Sequence, residues 1–67
     1  MAPRKTVATR LKELRKRRGW SQEQLADEAG ISRTYLARLE TARQDPTLST
    51  LEKLAKALKV KVAKLLE

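Results

Sequence analysis

Cysteine, histidine and phenylalanine are absent from this 67-residue sequence, and glycine and proline occur twice each. Without cysteine or histidine the chain has neither disulfides nor the usual zinc ligands, so hydrophobic packing must stabilise the fold. Catalysis is also disfavoured, because these acid-base and nucleophilic groups are missing and so short a chain has little room for a substrate cleft. We therefore expect no enzyme activity, no metal and no cofactor.

Long apolar runs are missing as well, and the basic residues at the start of the chain are followed by no hydrophobic region. This pattern disfavours both a signal peptide and a transmembrane span, so we expect a soluble, cytoplasmic protein associated with the nucleoid. A membrane-surface peptide is a poor alternative, since the basic residues are spread over several predicted helices without a bulky aromatic face.

Basic residues dominate the charge, with a formal net charge of +8 at pH 7. Half of the sixteen lysines and arginines lie between residues 4 and 18, where Glu13 is the one acidic residue. Such a charge favours a polyanionic partner, above all nucleic acid, and the alternative is a solvated helix face. We expect residues 1–5 to form a flexible basic arm, in which Arg4 and Lys5 either follow DNA or are simply disordered.

The apolar residues are mostly aliphatic and recur with helical spacing, which predicts an all-α fold with five helices. The first spans residues 6–18 and ends at Gly19, and the second spans 22–29 behind a Ser21–Gln24 capping box. The third runs from an N-cap at Ser32 to about residue 41, the fourth begins after Thr47 or Ser49, and the last covers 62–67. The predicted core consists of Val7, Leu11, Leu14, Leu25, Ala26, Ala29, Leu36, Leu39, Leu48, Leu51, Leu54, Ala55, Leu58, Leu65 and Leu66.

Residues 22–40 form the informative unit, two short predicted helices joined by a tight turn. Gly30 can adopt the positive φ that such a turn requires, and the small Ala26 lets the helices approach closely. This is the geometry of a DNA-binding helix-turn-helix, whose second helix enters the major groove.

Most of the chain, residues 14–66, resembles the phage-repressor type of helix-turn-helix domain, also called Cro/repressor or XRE-like. The resemblance is carried by Leu14-Arg15-Lys16-Arg17-Arg18-Gly19-Trp20-Ser21-Gln22-Glu23-Gln24-Leu25-Ala26, by Gly30-Ile31-Ser32-Arg33-Thr34-Tyr35-Leu36-Ala37-Arg38-Leu39-Glu40, and by Pro46-Thr47-Leu48-Ser49-Thr50-Leu51 with Leu54-Ala55-Lys56-Ala57-Leu58. It implies a compact five-helix DNA-binding domain over residues 6–67. The implied function is that of a transcriptional regulator, a repressor or controller, that binds double-stranded DNA sequence-specifically as a homodimer on a near-palindromic operator.

The resemblance also assigns roles to individual residues. Base-reading positions are Ser32, Arg33, Thr34, Tyr35 and Arg38, although Tyr35 could instead pack in the core and Arg38 could bind a phosphate. Phosphate-binding positions are Ser21, Gln22, Arg43 and Gln44, although Gln22 could instead be a polar residue of the first turn without a ligand. Arg15 and Glu40 are expected to form a structural ion pair. Trp20 is expected to close the core on different grounds, because an aromatic residue between two helices usually packs there.

Several questions stay open at this level. The Arg33-Thr34-Tyr35 opening of the third helix is also similar to restriction–modification controller proteins, while phage or plasmid repressors and antitoxins would have similar sequences. An adaptor that binds transcription proteins and not DNA is the alternative function, and RNA polymerase is a further candidate partner. Ala42 and Lys59 occupy positions where the family often has glycine, which predicts strain if φ is positive there.

Overall fold

Residues 3–67 are described by a computed structural model and form five helices, with no strand in this range. The helices are α1 (Pro3–Arg17), α2 (Gln22–Ala29), α3 (Arg33–Glu40), α4 (Leu48–Leu58) and α5 (Val62–Leu66). The all-α, five-helix prediction is therefore confirmed. The α1 helix packs on α3 and α5, and α2 packs on α3 and α4, within extents of 28 × 22 × 20 Å.

The start of α1 differs from the prediction, because residues 3–5 belong to the helix rather than to a flexible arm. Proline is well suited to a first helical position, where its fixed φ fits and its missing N–H would have had no partner. Arg4 Nε also lies 2.9 Å from Asp45 Oδ1, so this first turn contacts the loop before α4. The rest of the expected arm, residues 1 and 2, lies outside the described residues.

The core is aliphatic and draws on all five helices. Two predicted core residues are wrong, since Leu48 is 66% exposed and Leu66 is 47% exposed. Helical spacing gives the side of α4 on which Leu48 lies, but not whether another helix packs against the first residue of α4. Leu65 and Leu66 are successive residues about 100° apart on α5, and Leu65 is the one that faces the core and is fully buried. No helix within residues 3–67 is long and apolar enough to cross a membrane.

Side-chain caps begin the three central helices as predicted. Ser21 Oγ accepts from Gln24 N while the Gln24 amide accepts from Ser21 N, which completes the capping box. Ser32 caps α3 through Tyr35 N, and Thr47, not Ser49, caps α4 through Thr50 N. These caps set where each of the three helices begins.

Two helices end on non-glycine residues in the left-handed region, Ala42 after α3 and Lys59 after α4, each with φ of 58°. At the second site Lys59 N donates to Lys56 O, and Val60 N donates to Ala55 O at 2.9 Å. These bonds satisfy the last carbonyls of α4 and hold the strained residue in place. The strain foreseen from the missing glycines is therefore present at both positions.

Glycine at position 59 should remove this strain. We expect Lys59→Gly to raise the free energy of unfolding by about 0.5–1 kcal/mol, because the left-handed cost falls by more than the unfolded chain gains in entropy. Thermal denaturation should show a melting temperature about 2–8 °C higher. The matched control is Lys53→Gly, which removes the same charge from the interior of α4 and should destabilise by about 1 kcal/mol. Destabilisation by both variants would contradict the strain at Lys59.

Candidate nucleic-acid interface

The turn between α2 and α3 consists of residues 30–32 and is tightly hydrogen-bonded. Gly30 has φ of 72°, and its N–H donates to the last carbonyls of α2. Ile31 N donates to Ala26 O at 3.0 Å, after which Ser32 caps α3. Ala26 is only 1% exposed, and α3 packs on α2 with Leu36 and Leu39 buried. The predicted pair of helices with a tight turn is therefore present.

The remaining face of α3 is open to solvent. Ser32, Arg33, Thr34 and Arg38 are all exposed. Neither Arg33 nor Arg38 forms an ion pair with any residue in the range 3–67. Their guanidinium groups are thus available to a ligand, while Ser32 uses its hydroxyl oxygen to accept from Tyr35 N. This surface, residues 32–34 and 38, is called the α3 face below.

Tyr35 does not lie fully on this face, although the sequence placed it there. The residue is half-buried against the core, and its hydroxyl is 3.1 Å from Thr50 Oγ1 on α4. The structure thus has the arrangement of the alternative interpretation, a packed ring with its hydroxyl at the rim. Contact between Tyr35 and DNA stays a prediction.

Two of the predicted phosphate-binding residues come before α3 in the sequence and two come after it. Ser21 and Gln22 are at the start of α2, and Arg43 and Gln44 follow the end of α3. Ser21 and Arg43 are exposed, whereas Gln22 and Gln44 are half-buried. The N-terminus of α2 has free amides and the positive end of the helix dipole, which both favour an anion.

A buried carboxylate at the end of α3 joins three parts of the chain. Arg15 Nε donates to Glu40 Oε2 at 2.8 Å, and Arg15 Nη2 donates to Glu40 Oε1 at 3.1 Å. Arg15 Nη1 also donates to Trp20 O at 2.9 Å. Glu40 is 2% exposed and Arg15 is 13% exposed, so both charges of this ion pair are withdrawn from water.

Gln22 is the third donor to this carboxylate, with Nε2 at 3.0 Å from Glu40 Oε1. Sequence reasoning gave Gln22 only a phosphate role and missed this contact, because the two residues are 18 positions apart. An amide NH₂ group has two protons, so one remains for a phosphate oxygen while the other holds Glu40. Glu40 thus also restrains the side chain of Gln22, a predicted phosphate-binding residue.

A second unforeseen contact involves Arg18. Its guanidinium lies 5.1 Å from the centre of the Trp20 ring, and Nη2 donates to Leu58 O at 3.0 Å. Trp20 itself is half-buried against the core, as predicted for a residue that closes it. The contact joins the end of α1 to the end of α4, where cationic groups are favoured by the helix dipole.

Comparison with known proteins adds a family match and a curated relative. A family model described as Helix-turn-helix matches residues 11–65. The immunity repressor protein of Bacillus phage phi105 is 50% identical over 58 residues, which are 87% of this chain. The chain spans 40% of that repressor's length.

Solved structures with the same architecture include two regulators. The restriction–modification controller protein C.AhdI from Aeromonas hydrophila is 35% identical with a TM-score of 0.90, covering 97% of this chain and 98% of its own. SinR, a master regulator for biofilm formation solved in complex with DNA, is 37% identical with a TM-score of 0.87. That match covers 91% of this chain and 98% of the SinR chain.

Removal of Arg15 should leave Glu40 buried without its cationic partner. We expect Arg15→Ala to lower the free energy of unfolding by about 3 kcal/mol, since an uncompensated buried charge is costly. Arg17→Ala removes an exposed arginine from the same last turn of α1 and should change stability by less than about 0.5 kcal/mol. Urea denaturation of both variants provides the measurement. Equal losses would show that the Arg15–Glu40 pair has no special energetic role.

Proposed function

The chain belongs to the helix-turn-helix family, and from this premise we propose that it is a transcriptional regulator that binds double-stranded DNA sequence-specifically. The observation that carries the proposal is the α3 face, where Arg33 and Arg38 are exposed and form no ion pair with residues 3–67, on a helix that follows α2 after a tight turn. The DNA complex of the related SinR supports the same ligand. The proposal assigns no catalytic activity and places the protein in the cytoplasm with the nucleoid.

In this proposal α3 enters the major groove and reads base edges. The first turn of a recognition helix lies nearest the bases, which gives Ser32, Arg33 and Thr34 the central positions. An arginine can donate two hydrogen bonds to guanine O6 and N7, so Arg33 is the leading base-reading residue. Arg38 follows one turn later and contacts either a base or a phosphate.

Phosphate contacts then hold the helix in register. Ser21 and Gln22 bind the backbone at the N-terminus of α2, where amides and dipole attract an anion. Arg43 and Gln44 bind it beyond the end of α3. Because Gln22 also donates to the buried Glu40, its side chain is oriented before DNA arrives, which lowers the entropic cost of the contact.

Homodimerisation is part of the proposal. One helix of eight residues reads too few bases to select a single operator, whereas two copies related by a two-fold axis read a near-palindrome. A regulator bound near a promoter would also meet RNA polymerase, which we keep as a candidate partner. The adaptor function is the alternative outcome of the first experiment.

Selection of bound sites from random duplex DNA tests the proposed function directly. We expect enrichment of a near-palindrome with half-sites about 34 Å apart, one turn of DNA. On the selected duplex, affinity should fall by roughly 10³ to 10⁵ between about 50 and 200 mM salt, as expected for about six to ten phosphate contacts. A scrambled duplex of equal length is the control. No enrichment together with a flat salt titration would overturn DNA binding and favour the adaptor function.

Two arginine variants separate base reading from phosphate binding. Arg33→Ala should weaken binding to the selected site by about 1–3 kcal/mol and leave binding to the scrambled duplex almost unchanged. Arg43→Ala should weaken both duplexes alike and reduce the salt slope by about one unit per half-site. Fluorescence titrations over a range of salt provide both quantities. If Arg33→Ala weakened both duplexes equally, Arg33 would be a phosphate contact.

A further inference from the structure

Three hydroxyl groups form a continuous hydrogen-bonded chain from the N-cap of α4 to α3. Thr47 Oγ1 accepts from Thr50 N at 3.0 Å, and the Thr47 hydroxyl donates to Thr50 Oγ1 at 2.9 Å. Thr50 Oγ1 is in turn 3.1 Å from the Tyr35 hydroxyl. We call Thr47, Thr50 and Tyr35 the hydroxyl chain. Its last member is the residue that sequence analysis placed at the DNA surface.

The available protons determine which hydroxyl of the hydroxyl chain donates to which. The Thr47 hydroxyl donates its proton to Thr50 Oγ1, and its oxygen accepts from the Thr50 amide. Thr50 then has one proton of its own, and the Tyr35 oxygen is its one remaining partner among residues 3–67. Thr50 is 7% exposed, so water offers little alternative. If Tyr35 donated instead, the Thr50 proton would be buried and unpaired, which is costly.

The Tyr35 proton is consequently left for a partner outside the domain. Tyr35 is half-buried, with its ring packed on the core and its polar end at the rim. It also lies three residues before the exposed Arg38, and residues with this spacing are neighbours on a helix surface. Duplex DNA offers acceptors for such a donor, which are phosphate oxygens and the N7, O6 and O4 atoms of the major groove.

We propose that Thr50 is a positioning residue for DNA recognition, which orients the Tyr35 hydroxyl as a fixed hydrogen-bond donor to DNA. The inference rests on the proposed DNA-binding function. Thr50 has no contact with DNA in this arrangement, since it is buried beneath Tyr35. Its effect comes from the direction that it imposes, because a donor already held in place loses less conformational freedom on binding than a freely rotating hydroxyl. Successive hydroxyl bonds in one direction also strengthen each other.

Four variants test the proposal on the selected duplex and on its scrambled control. Tyr35→Phe removes the donor, and Thr50→Val removes the hydroxyl that orients it while keeping the side-chain shape. Thr50→Ser restores the hydroxyl without the methyl group, and the fourth variant combines Tyr35→Phe with Thr50→Val. Thermal denaturation of each variant checks the fold. Thr47 is exposed, so water can replace its lost partner in Thr50→Val.

We expect Tyr35→Phe to weaken binding about three- to tenfold, the effect of one hydrogen bond. Thr50→Val should weaken it about two- to fivefold, and Thr50→Ser should bind within about twofold of the native chain. In the Tyr35→Phe background, Thr50→Val should have no further effect, because there is no hydroxyl left to orient. This non-additivity is the result that a merely structural role of Thr50 would not produce.

The outcomes are distinct. Loss on both duplexes identifies a phosphate acceptor and loss on the selected duplex alone identifies a base acceptor, and either supports the donor role of Tyr35. Native affinity for Tyr35→Phe, or equal effects of Thr50→Val with and without the Tyr35 hydroxyl, would overturn the proposal while leaving DNA binding intact. Absence of DNA binding by the native chain would instead overturn the proposed function, and this inference with it.

Discussion

The buried carboxylate of Glu40 is the constraint on which the orientation of the α3 face depends. Glu40 ends α3, and its oxygens accept from Arg15 near the end of α1 and from Gln22 at the start of α2. A charge withdrawn from water must be compensated by well-placed donors, and hydrogen bonds are directional, unlike aliphatic packing. The leucines of α3 can tolerate small rotations of the helix, whereas the fork of Arg15 on Glu40 cannot. This pair therefore restricts how α3 presents Arg33 and Arg38.

Half of the basic residues between positions 4 and 18 have partners within the domain, so this charge also stabilises the fold. Arg4, Arg10, Arg15 and Arg18 all have partners within the domain, respectively Asp45, Glu13, Glu40 and the Leu58 carbonyl. These partners hold four of the eight basic residues between positions 4 and 18. A surplus of cations still attracts a polyanion, because long-range attraction follows the net charge rather than single contacts. The specific contacts are instead expected from α3 and from the two segments that flank it.

Local strain accompanies this arrangement at the ends of α3 and α4. Ala42 and Lys59 adopt the left-handed conformation that Gly19 and Gly30 adopt at the other two turns. Around Ala42, Arg43 N donates to Arg38 O at 2.9 Å, so the segment carrying two predicted phosphate-binding residues is tied back to the helix. The hydrogen bonds at these turns offset the cost of a side chain in this region.

The sequence by itself determined the features that depend on neighbouring residues. Helical spacing together with capping residues identified all five helices. The caps at Ser21 and Ser32 were readable because capping joins residues three positions apart, whereas the cap of α4 stayed open between Thr47 and Ser49. The sequence also indicated the exposed arginines of α3 and, through the family resemblance, the pairing of Arg15 with Glu40. Tertiary structure decided where packing ends and which distant polar atoms meet. Leu48 and Leu66 are exposed although their residue type favours burial. Gln22 reaches Glu40 across 18 residues, and Tyr35 reaches Thr50 across 15. Periodicity gives a direction around one helix axis, but such contacts also require the separation and crossing angle of two helices, which only the packed core establishes.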